Sequence, residues 1–111
     1  MVTAETAVVL PVLLVVLAAA VWVLACVSAQ LRCVDAARTG ARAAARGDAV
    51  AAVTAATATV APAGAQISVE SAGDAVTVRV HAVVRPFGAA LAALPGTDVA
   101  ARATAVVEDP P

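Results

Sequence analysis

The chain has 111 residues, enough for one small domain; alanine and valine fill 55 of them, aromatics make up 2% and charged residues 14%. Seven arginines against eight acids leave a net charge of −1, and there is no lysine. This composition excludes disorder by high charge and gives no basic or aromatic surface for nucleic acid, and it lacks the larger side chains of a typical enzyme core.

The first element is an apolar helix. Residues 6–31 form a run of 26 without a formal charge. As a helix the run is ~39 Å long, more than the ~30 Å hydrocarbon core of a bilayer. A secretory signal has a basic start and a shorter apolar stretch. Here Glu5 precedes the run and no Lys or Arg comes before it. The alternative, a buried helix of a soluble protein, needs more chain than 111 residues supply to wrap it. Residues 1–31 are therefore expected to be a membrane-spanning helix segment.

Residues 32–60 are expected to continue that helix in amphipathic form and to add a short second one. Arg32, Asp35, Arg38, Arg42 and Arg46 fall within an arc of roughly 120°. Val34, Ala37, Ala41, Ala44 and Ala45 occupy the other side and are expected to pack. Gly47 is expected to stop the helix, and Asp48 to cap a second one over residues 49–60 that ends before Pro62.

Residues 65–108 read as a small antiparallel β domain. Gln66, Ile67, Ser68, Val69 and Glu70 alternate polar with apolar, and so do Val76 to His81 after the turn signal Ala72-Gly73-Asp74. Pro86 and Gly88 interrupt the pattern, and residues 89–94 suit one or two helical turns. A last strand alternates Ala101, Ala103, Ala105 and Val107 with Arg102, Thr104, Val106 and Glu108, before the chain ends at Pro110-Pro111. The fold class expected is α+β, a long N-terminal helix leaning through its second half on three strands that could not bury much alone.

Few residues suggest chemistry. Glu5 at the edge of a bilayer is costly unless paired. It reads either as a favourable charge at a helix N-terminus or as a carboxylate seeking a positive group on another chain. Pro11 has no N–H for the Ala7 carbonyl, so it marks a possible kink, and membrane helices tolerate proline. Cys26 and Cys33 lie ~10.5 Å apart along a helix, too far to bridge, and suit packing or, for Cys33, a bond between chains. His81 stands alone without catalytic companions. The arginine stripe reads as a solvated face, or as a contact for headgroups or a neighbour's acids. No metal set, cofactor motif or nucleophile–base pair is present in the sequence, so catalysis is not expected.

The run TAETAVVLPVLLVVLAAAVWVL, followed by RCVDAARTGARAAARGD, resembles the TadE-like minor pilins of Flp/Tad pilus systems, of the actinobacterial type. The stretch 101–108, ARATAVVE, is similar to the closing strand of that family. The resemblance implies a pilin-like subunit of a type IV-like filament, held in the cytoplasmic membrane before assembly and at the cell surface, in adhesion, afterwards. It implies other pilin subunits and the lipid bilayer as partners. It also implies a prepilin peptidase that cuts after a glycine and leaves Glu5 at the fifth mature position, with Met1 as the mature N-terminus. Positive-inside reasoning alone places the arginines of residues 32–46 in the cytoplasm, whereas the resemblance implies the reverse. A single-pass anchor presenting an extracytoplasmic binding or scaffold domain is the alternative.

Overall fold

The computed structural model describes residues 2–85 and 95–107. Met1, the turns expected over 89–94, Glu108 and the closing Pro110-Pro111 lie outside the described residues. Two helices precede three strands: α1 (Val2–Ala45), α2 (Val50–Val60), β1 (Gln66–Ala72), β2 (Ala75–Val84) and β3 (Thr97–Val106). The class is α+β, as the change of period at Gly64 predicts. The molecule measures 80 × 22 × 19 Å, because α1 projects far beyond the rest.

α1 is continuous through Pro11 and ends where a glycine permits it. Gly47 has φ +83°, its N–H donates to Ala44 O at 2.9 Å, and the Asp48 N–H donates to Ala43 O at 3.2 Å. These two bonds are the paired closure of a Schellman stop, with the left-handed position filled by the residue that reaches it without strain. Asp48 therefore belongs to the end of α1, where its carboxylate pairs with Arg46 at 3.2 Å. It does not cap α2, contrary to the expectation from sequence. Ala49 holds that position with extended backbone and no side-chain cap.

The sheet is antiparallel in the order β1-β2-β3. Gly73 and Asp74 make the two-residue turn of the first hairpin. Val76, Val78, Val80 and Ala82 of β2 face inward, as do Val99, Ala101, Ala103 and Ala105 of β3. The second half of α1 covers β2 and β3, and α2 covers β1.

The buried face of α1 runs through Ala29, Cys33, Ala36, Ala37, Gly40, Ala41, Ala43 and Ala44. Ala37, Ala41 and Ala44 were expected there, but Val34 and Ala45 are only half-buried, so the face is rotated toward Cys33 and Gly40. Gly40 explains the rotation. A Cβ there would overlap Thr57 Oγ1 and come within 2.9 Å of Val78 Cγ1. Gly40 thus sits where α1 meets both Thr57 of α2 and Val78 of β2. Thr57, fully buried, is satisfied by donating to Val53 O at 2.7 Å.

Candidate assembly surface

The surface available for assembly is the first half of α1. Its most apolar stretch has none of its residues buried. Leucines and valines from Val2 to Leu31 are exposed around the whole circumference, with Leu24 70% and Leu31 59% open. A helix that is apolar on every side needs a lipid or protein environment. In length and composition it fits a bilayer span.

Glu5 lies in the first turn of α1 and is exposed. Among the described residues no cation pairs with it. Its neighbour Thr6 turns its hydroxyl back to Val2 O at 2.9 Å, so a polar group in the first turn is satisfied within the helix. Pro11 is exposed six residues further on, within unbroken helix. The structure thus places Glu5 and Pro11 on one bare apolar rod.

The docked half of α1 begins with a polar clasp. Gln30 Nε2 donates to Ala100 O at 2.9 Å, tying the end of the apolar run to β3. Cys26 and Cys33 are both free, on the same helix. Cys33 is fully buried, and desolvation pushes its thiol above the ordinary value, which keeps it protonated and inert at neutral pH. His81 is half-exposed with Nε2 at 3.4 Å from Asp98 Oδ1 across the β2–β3 ladder. Arg32, Asp35, Arg38, Arg42 and Arg46 are all exposed, and Arg38 and Arg42 lie alongside Ala103 to Ala105 of β3.

Three residues with structural work to do escaped the sequence reading: Gly40, Gln30 and Asp98. Gly40 was detectable, since a glycine in an alanine-rich helix costs about 1 kcal/mol unless close packing requires it. Gln30 was the one amide in the run, at its very end.

Residues 1–42 match the family model of TadE-like protein. The TadE-like segment is 42 of 111 residues: the bare apolar rod, the Gln30 clasp and the docked face as far as Arg42. It stops before α2 and the sheet, so the likeness noted at residues 101–108 falls outside it. No curated protein and no solved structure matches the chain.

Proposed function

We propose that the chain is a structural, non-catalytic subunit of a Tad/Flp-type pilus or of its assembly machinery, with the role of a minor pilin. The supporting observation is that the TadE-like match coincides with a helix whose apolar half is wholly uncovered by its own fold. Such a helix resides in the cytoplasmic membrane as a single pass and passes from lipid into a bundle of like helices at the cell surface. Both environments bury the same apolar side chains, so little hydrophobic free energy is lost on transfer.

Glu5 gives the transfer its register in this reading. A prepilin peptidase leaves Met1 as the first residue, and its amine on a neighbouring subunit meets the Glu5 carboxylate. An unpaired charge in an apolar bundle costs several kcal/mol, and the amine offsets much of that only when the helices are aligned. The expected result for Glu5→Gln is near-normal membrane insertion with reduced incorporation into sheared surface filaments. Quantifying the chain in filaments against membranes checks both halves. Normal incorporation of the variant reduces Glu5 to a helix-end charge. Absence of the wild-type chain from filaments leaves the single-pass anchor with an extracytoplasmic scaffold domain.

A further inference from the structure

The leucines of α1 follow a spacing that neither the head nor a bilayer requires. Leu10, Leu17, Leu24 and Leu31 recur at every seventh residue. Leu13, Ala20, Val27 and Val34 each follow three residues later. Five of the six leucines in α1 therefore lie on one seam. Alternating steps of three and four are the a and d positions of a left-handed coiled coil, here with leucine at every a. These five leucines and Val27 are each more than half exposed. The head packs on the other side of the helix. Ala29, Cys33, Ala36 and Gly40, buried against α2 and the sheet, hold c and f positions of the same heptads. The seam stops at the head, because the next a position is Arg38 and the next d position, Ala41, is already buried.

The hydrocarbon of a bilayer covers only part of this seam. β3 runs alongside α1 in the same direction from the Gln30–Ala100 hydrogen bond: Ala103 and Ala105 lie by Arg38 and Arg42, and Val107 lines a depression with Ala44. In the opposite direction Asp98 stands ~7 Å below Gln30, level with Ala25 and Cys26. Its side chain is 75% exposed and pairs with the half-exposed His81. An exposed carboxylate does not sit in hydrocarbon, so the apolar core ends near residue 25. About twenty residues fill the ~30 Å core, which places its other edge at Thr6, directly after Glu5. The uncharged run exceeds that core by ~9 Å, and the surplus carries Val27 and Leu31. Lipid tails do not reach these side chains, and the chain's own head leaves them open.

We propose that a second copy of this chain packs its α1 against the first, in parallel and in register, as a left-handed coiled coil from Leu10 to Val34. The copies span one bilayer through the same segment, so equal positions meet at equal depth. A slip of one heptad, ~10.5 Å, would keep leucine on leucine but displace one span against the bilayer. The heads, on the opposite side of each helix, point outward and do not obstruct the contact. The contact is the same patch on each copy, so it closes and does not propagate. The proposal rests on the membrane residence argued above, and not on incorporation into a filament. Glu5 and Pro11 fall at c and b positions, off the seam, so Glu5 stays free for the register role described for it.

Cysteine pairing in the full chain tests this, in phosphatidylcholine vesicles and with Cys26→Ala as background. Leu24→Cys and Leu31→Cys place thiols at a positions, and Ala25→Cys and Arg32→Cys place them at neighbouring b positions of the same depth. On oxidation the a positions should give at least about fivefold more disulfide dimer, because only the seam brings Cα atoms within ~4.4–6.8 Å. Mixing Leu24→Cys with Leu31→Cys chains should give little mixed dimer. Val27→Cys, at d, should also pair, and adding Leu24→Ala with Leu31→Ala should lower its yield about threefold or more. Both leucines are exposed in the single chain, so its circular dichroism should not change, which separates loss of the seam from loss of the fold. Equal yields at a and b, mixed dimers as abundant as matched ones, or a Val27→Cys yield indifferent to the two alanines overturns the proposal. None of these outcomes bears on filament incorporation through Glu5, so the two readings fail separately.

Discussion

Gly40 shows how much of this fold rests on the absence of a side chain. Alanine at that position would favour the helix by about 1 kcal/mol. The added Cβ would also overlap Thr57 Oγ1 and press on Val78, and overpacking of a tight core costs about 1–3 kcal/mol. We expect Gly40→Ala to be net destabilising by about 1 kcal/mol, read as a lower Tm of the full chain in detergent. Because the nearest atom is the Thr57 hydroxyl, Thr57→Ala in the same chain should recover part of the loss. A Tm raised by Gly40→Ala alone would show that α1 and α2 have room to move apart. The glycine itself was conspicuous in the sequence, but its partners Thr57 and Val78 were not legible there. Alanine and glycine give almost no hydrophobic contrast around a helix, so the arginines marked the exposed side while the centre of the buried side stayed undefined.

At the level of elements, the sequence was most informative where periodicity was strong. The alternation of Val76, Val78 and Val80 with Thr77, Arg79 and His81 identified β2 and its inward face, and Gly47 identified the end of α1. The cap of α2 was misread because two helices compete for the residues between them. Asp48 is drawn into the closing turn of α1, one position too early to serve α2. Cross-strand register was not legible either, since it depends on pairing across residues 85–96 and not on local pattern, so the placing of Arg79 opposite Arg102 emerged only with the fold. Ala49 has the extended backbone of an N-cap but no side-chain oxygen. Ala49→Ser should therefore stabilise the protein by about 1 kcal/mol, measured as a rise in Tm in detergent. No rise would mean that the first N–H groups of α2 are already satisfied.

For the whole molecule the decisive quantity is which side of the membrane the head occupies. The arginines on α1 argue for the cytoplasm and the pilus reading for the outside. The cysteines make the question accessible, since Cys33 is buried and protonated and Cys26 lies within the apolar rod. Ser68→Cys places a thiol on the exposed outer face of β1. A membrane-impermeant maleimide should label that variant on intact wall-stripped cells as strongly as after permeabilisation. Labelling only after permeabilisation would put the sheet in the cytoplasm and end the pilus reading. The parallel course of β3 and α1, from the Gln30 clasp to the depression that Val107 and Ala44 both line, has a mechanical consequence. Tension applied along the rod and resisted by the head loads their interface in shear. The contacts along β3 then share the force and must yield together, whereas a sheet crossing the helix at right angles would peel away one row at a time.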